Sequence, residues 1–181
     1  AKTVYLEGIE HLSTSDEIWL RAHLLCNLGA VAGFTANFEQ VRPCYAQGIE
    51  LFEQVGDRIA VADALKDNGG VLILESKYTE AINYLLKSLK LCYELDHKQY
   101  MATGMGLLSF AVGLRQLPQP AVASLNSAQL QGASDVLLEA IGLTPWTKSL
   151  PLAQIARIQI RSWVDEQDWE AALAAGRALT I

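Results

Sequence analysis

Tyr45-Ala46-Gln47-Gly48-Ile49-Glu50 stands forty residues after Tyr5-Leu6-Glu7-Gly8-Ile9-Glu10, and the two stretches share their tyrosine, glycine, isoleucine and final glutamate. Forty residues further on, Ser88-Leu89 replaces Gly-Ile and Leu91-Cys92 replaces Leu51-Phe52. The next segment recurs as well: Val55-Gly56-Asp57-Arg58 aligns with Leu95-Asp96-His97-Lys98. Upstream, Cys26-Asn27-Leu28-Gly29 matches Asp67-Asn68-Gly69-Gly70 at a spacing one residue longer. Ala36-Asn37-Phe38-Glu39 and Ser76-Lys77-Tyr78-Thr79 return to forty, and Ala62 and Ala81 reappear as Ala102 and Ala121.

A period near forty with small residues inside apolar stretches describes helix–turn–helix units that stack. One unit cannot bury its own apolar face, so its neighbours cover it. Gly29 and Gly70 fall inside predicted helices, where glycine costs about 1 kcal/mol relative to alanine. That cost is tolerable where two helices cross closely. Ala81 and Ala121 are expected to serve the same crossing from the partner helix, with Val41 in that place in the first full repeat.

The expected fold is all-α, a right-handed α-α superhelix of antiparallel helical hairpins. Helices are predicted over about 1–13, 17–34, 38–55, 57–75, 78–95, 97–115, 120–142, 150–164 and 168–178. Residues 1–142 read as a truncated first hairpin followed by three hairpins, and 143–181 as C-terminal capping helices. Asp16, Asp57 and Asp96 are candidate helix caps. Pro118 and Pro120 mark the turn before the long helix, and Pro151 suits a first helical turn. Trp146, Trp163 and Trp169 are expected to pack in the cap. The chain opens without Met directly in a helical pattern, and reads as a piece of a longer protein.

Composition excludes several functional classes. Of 181 residues 51% are hydrophobic, enough to bury a substantial core. The net charge of −6, with 14 scattered basic residues, argues against a nucleic-acid surface. No apolar run has the roughly 18 residues that a membrane span needs. The three cysteines, Cys26, Cys44 and Cys92, form no CxxC, and they read as buried thiols in a reducing cytoplasm. No phosphate-loop signature, HExxH or GxSxG is present. His11, His23 and His97 lie in different repeats and read as solvated side chains. No catalytic residue, metal site or cofactor is expected.

Cys26-Asn27-Leu28-Gly29, Tyr45 through Asp57, Ala128 through Ala133, Leu138 through Gly142, Trp169 through Ala172 and Gly176 through Thr180 together resemble the tetratricopeptide-like region of large bacterial regulators. Such regulators join an NTPase module to a LuxR-type DNA-binding domain or to a cyclase or kinase domain. The resemblance covers nearly the whole chain. It weakens in the third repeat, where Ser109-Phe110 replaces the Asn-Leu-Gly element and 117–127 is irregular.

The resemblance implies that the first helix of each pair lines a concave groove. That places His23, Cys26, Asn27, Ala30 and Phe34 there, then Asp67, Asn68, Val71, Leu74 and Glu75. Asn27 and Asn68 would be equivalent amides able to clamp an extended peptide backbone. Met101, Met105, Phe110 and Leu114 would extend an apolar lining, though core packing is the expectation for most of them. A clamp for a C-terminal carboxylate is disfavoured, because Cys26 and Asp67 stand where it needs Lys or Arg. The expected role is therefore a non-catalytic interaction or sensor scaffold binding a protein, a peptide, a small effector or another domain of its own chain. The alternative is a spacer or dimerisation arm without a ligand.

Overall fold

The computed structural model describes residues 2–11, 18–115, 119–144 and 151–179. Among these the chain is wholly helical: α1 (Lys2–His11), α2 (Ile18–Phe34), α3 (Phe38–Gln54), α4 (Arg58–Leu74), α5 (Tyr78–Glu94), α6 (Lys98–Leu114), α7 (Pro120–Ala140), α8 (Pro151–Arg161) and α9 (Glu166–Arg177). The Asp16 cap, Pro118 and Trp146 lie outside the described residues.

Helices α2 to α6 are each 17 residues long. The turns between them share one geometry. Ala36, Gly56, Ser76 and Asp96 all take positive φ, at 56°, 73°, 60° and 50°, so a left-handed residue recurs every twenty positions. After each, an amide closes back onto a carbonyl five residues earlier: Asn37 to Ala32, Asp57 to Phe52, Lys77 to Leu72 and His97 to Cys92. This closure satisfies carbonyls that a helix end would leave open. Only Gly56 meets the left-handed requirement without a Cβ.

This regularity corrects three sequence expectations. The spacing holds at forty throughout, so Asn27 is equivalent to Asp67 and Leu107, whereas Asn68 corresponds to Leu28 and Leu108. Asp96 is the left-handed turn residue, and His97 caps α6, its Nδ1 accepting from the Tyr100 amide at 3.3 Å. His97 is thus engaged rather than solvated. Asp57 does cap α4, accepting from the Ala60 amide at 2.9 Å, and its other carboxylate oxygen accepts from the Trp19 indole at 2.9 Å.

Burial alone would raise the Asp57 carboxyl. The Ala60 amide, the Trp19 indole N–H and nearby His23 outweigh it and hold the group below its ordinary value. A depressed carboxyl stabilises the fold above its unfolded pKa, and that contribution fades as pH falls towards the lower folded value. Asp57→Ala is expected to cost about 1–2 kcal/mol at neutral pH. Urea unfolding should show the gap to wild type narrowing below about pH 4.

The layers follow from the packing. Each helix of the hairpins packs on the next, and α2 also packs on α4 and α4 on α6, with no comparable packing between α3 and α5. The first helices thus form one continuous layer, apolar nearly all round as a layer covered on several sides must be. Small residues set the crossings. Ala22, Ala62 and Ala102 are buried at matching positions. Their carbonyls face Gly48, Ser88 and Ser134 in turn; Ser88 Oγ donates to Ala62 at 2.7 Å and Ser134 Oγ to Ala102 at 2.8 Å. Tyr45 and Leu85 then lie over Gly29 and Gly69. Gly70, by contrast, has only the tip of Leu107 near it, so it is not a crossing glycine.

Ser134 stands six residues beyond the forty-residue register, because α7 begins at Pro120, two residues late, and its 21 residues include an additional first turn of four. Ala121 is consequently exposed, and buried Ser127 takes the place equivalent to Ala81. The end of the stack departs further. α9 packs along α7, and α8 lies on α6. Trp169 is fully buried there with Phe110, Ala128, Ala153, Ile160 and Ala172. Trp163 does not join this core; it is 52% exposed.

Candidate functional site

Residues seven apart on a helix lie two turns along one line. On α2 this line carries Asn27 and Phe34, on α4 Asp67 and Leu74, and on α6 Leu107 and Leu114. It points away from the second helices. Asn27, Phe34, Asp67 and Leu74 are exposed, and Leu107 and Leu114 are half-buried. Between the two levels sit Ala30 and Gly70, both half-buried and small. The structure therefore brings together three of the residues singled out from sequence: Asn27, Phe34 and Asp67.

The other four lie elsewhere. Asn68 on α4 is 5% exposed and cannot reach a ligand on the open face. The paired-amide clamp therefore has no structural basis. Glu75 lies at the C-cap of α4 and pairs with Lys77 in the turn. Met105 turns towards α7, packing by the cluster of Cys92, Met101, Leu137 and Leu138. With Val112, Asn126, Gln129, Leu130, Ala133 and Leu179 it lines an open cleft of about 350 Å³. Met101 and Phe110 are core residues. His23 is wedged between Trp19 and Phe52, ring centroids 4.0 and 4.7 Å away, both edge-on; its Nε2 is buried without a partner, so it is not solvated. His11's side chain is outside the described residues.

Beneath the Asn27–Asp67 level lies a polar cluster that sequence reasoning missed. Lys66 reaches both Asp63 and Asp67, the latter at 3.2 Å, and its Nζ stands 4.6 Å over the Tyr100 ring. The two aspartates raise the lysine against the opposing effect of burial. Burial raises Asp67, with Lys66 opposing and Asp63 adding to it. Two carboxylates share one ammonium, leaving one negative charge. The Cys26 thiol and Tyr45 phenol approach from α2 and α3. Tyr45 is fully buried and its Oη has no hydrogen-bond partner. An i, i+3, i+4 pattern of Asp63, Lys66 and Asp67 was visible in the sequence, but nothing local reveals that its charges act on Tyr45 of another helix.

Burial, with Asp67 and Asp63 adding to it, pushes the Cys26 thiol up to about 12. On the order of one thiol in 10⁴ is then ionised at pH 8, and only the thiolate is reactive. Native Cys26 is expected to alkylate with iodoacetamide at least a hundredfold more slowly than in urea-unfolded chain, as peptide mapping would show. Comparable rates in the two states would contradict its placement. Among the described residues no three His, Cys, Asp or Glu side chains group as a metal site, and no helix is long and apolar enough to cross a membrane.

In comparison with known proteins, no family model, no curated protein and no solved structure matches the chain.

Proposed function

We propose that this chain is a non-catalytic binding scaffold that holds a segment of a partner protein along the open face of α2 and α4. The observation that carries this reading is the apolar row begun by Phe34 and Leu74, whose counterpart on α6, Leu114, packs half-buried against the core of Phe110, Ile160 and Trp169. Phe34 and Leu74 occupy the same place in two successive units and are 78% and 44% exposed. A monomer's surface carries isolated apolar side chains without consequence, but an aligned apolar row is what an interaction face needs. In this reading the hairpins wind as a right-handed superhelix with this face on its concave side. The parent protein is a cytoplasmic regulator of the tetratricopeptide-like class, and occupancy biases its curvature, provided the partner prefers one curvature over another.

Panning a random dodecapeptide library against the immobilised chain tests this. The expected result is an enriched family of sequences whose binding is lost in Phe34→Ser/Leu74→Ser. Failure to enrich any family, or binding indifferent to that double variant, would overturn it. Self-association in sizing experiments, weakened by the same substitutions and without peptide binding, would favour a dimerisation arm instead.

A further inference from the structure

We propose that the face shared by α1 and α2 is a docking site for an α-helix of another protein, an apolar helix carrying alanine and, seven residues on, glycine. The proposal stands apart from the open-face reading above and uses different residues.

The forty-residue register supplies the geometry. α1 packs on α2 one unit before α3, with Val4, Tyr5 and Gly8 at the places of Cys44, Tyr45 and Gly48. In α3 these places are covered by α2. A Cβ at Gly29 would stand 3.0 Å from the Tyr45 ring and 3.2 Å from Cys44 Cβ. One at Gly48 would run into Cys26 Sγ and stand 3.1 Å from the Ala22 carbonyl oxygen. Cys44 and Tyr45 are accordingly 6% and 0% exposed. On α1, by contrast, Val4 is 67% exposed, and Tyr5 and Gly8 are only half-buried. Among the described residues, a Cβ at Gly8 would meet the Leu24 side chain alone.

α2 tells the same story beside it. On α4, Ala60, Ala64 and Val71 are 7%, 3% and 5% exposed, and Val71 lies against Gly33 of α2. Forty residues earlier, Leu20 is 44% exposed and Leu24 and Val31 are half-buried. Leu6 is different: its 40% exposure is matched by 51% at its counterpart Leu86, so that position faces outward in both units. Isolated exposed apolar side chains need no explanation. Two adjoining strips whose repeat counterparts are buried describe an interface without its other half.

The rest of the chain shows what covers such a pair. One helix does: α2 lies across α3 and α4, and α4 across α5 and α6. Both covering helices carry alanine and glycine two turns apart, Ala22 with Gly29 and Ala62 with Gly69. The alanine carbonyls face Gly48 and Ser88, and the glycines lie under Tyr45 and Leu85. Tyr5 and Gly8 repeat the residue types of Tyr45 and Gly48, so they call for the same partner: glycine beneath the ring and a bare alanine carbonyl against Gly8. A second copy offers no such helix. Among the described helices the pair occurs on α2 and α4, and Ala22 and Ala62 are 0% and 1% exposed. The occupant is therefore a helix of a different chain, laid into this face by its apolar side.

The test uses a terminally blocked, fluorescein-labelled peptide of residues 57–77, which carries Ala62 and Gly69, and its analogue with Gly69→Leu. By fluorescence anisotropy the full chain is expected to bind the glycine peptide at least tenfold more tightly, although leucine is the more apolar residue and the better helix former. Val4→Glu on α1 should weaken that binding at least tenfold, and Leu20→Glu on α2 at least threefold. Leu6→Glu, outside the face, should change it less than twofold. All three positions are already exposed, so Tm should stay level. The proposal is wrong if the glycine peptide does not bind, if the leucine analogue binds as well, or if Val4→Glu has no more effect than Leu6→Glu. Self-association that Val4→Glu abolishes and the peptide does not displace would assign the face to a second copy and overturn the proposal as well.

Discussion

Gly176→Ala is expected to detach α9 from α7 and to lower stability by about 3 kcal/mol or more. A Cβ at Gly176 would stand 1.9 Å from the Gln129 carbonyl oxygen, and one at Gly132 would stand 2.1 Å from that of Leu173. The two helices therefore touch backbone to backbone at paired glycines. Overpacking a core usually costs about 1–3 kcal/mol because a crowded side chain can turn aside. A carbonyl fixed in a helix cannot, so the helices must separate. Separation exposes Trp169 and Ala172, now buried against α6, α7 and α8. Hydrogen exchange should show α9 amides losing protection first, with α3 and α4 unaffected at low denaturant. Unchanged protection of α9 would mean that the crossing is looser than described.

Leu85→Ala should be comparably damaging, through a different route. Leu85 is fully buried, and it joins Leu72, Ala81, Leu108 and Ala111 across α4, α5 and α6. Truncating a buried leucine costs about 3–5 kcal/mol, with the larger values where the cavity cannot collapse. Here the cavity would open over Gly69, whose missing Cβ would lie 2.7 Å from Leu85 Cγ. The two positions are coupled, which gives a sharper test. Gly69→Ala alone should destabilise by crowding Leu85. In Leu85→Ala the same added methyl should refill part of the void and recover about 1 kcal/mol. Simple additivity of the two changes would refute the contact, since residues in direct contact couple. In a stack held by nearest-neighbour interfaces, loss at this central unit weakens both flanks.

The helices, the forty-residue period, the Asp57 cap and the burial of Trp169 were all legible from residue pattern, because each depends on spacing or on a local rule. The errors have equally physical origins. Matching Cys26-Asn27-Leu28-Gly29 to Asp67-Asn68-Gly69-Gly70 aligned letters and inserted one residue. One residue rotates a helix face by about 100°. That rotation moved Asn68 from the core to the groove and hid the true partner of Asn27, which is Asp67. His97 was overlooked as a cap because aspartate is the commoner one, and Asp96 stood next to it. Trp163 lies just beyond α8, where no periodicity specifies a direction. The Gly132–Gly176 crossing and the seating of Tyr45 over Gly29 join distant segments, and single-sequence pattern carries no information about such pairs. That Asn27, Phe34 and Asp67 share an exposed line of their helices needed only the period of 3.6.

The joints at Ala36, Gly56, Ser76 and Asp96 are interchangeable, so any two of like kind could be fused after excising the forty residues between them. A protein assembled this way can gain or shed reach in fixed increments, each a near copy of the last, without inventing a new corner. The α7–α9 clasp, glycine set against glycine, is a joint of another kind, and no such exchange reaches across it.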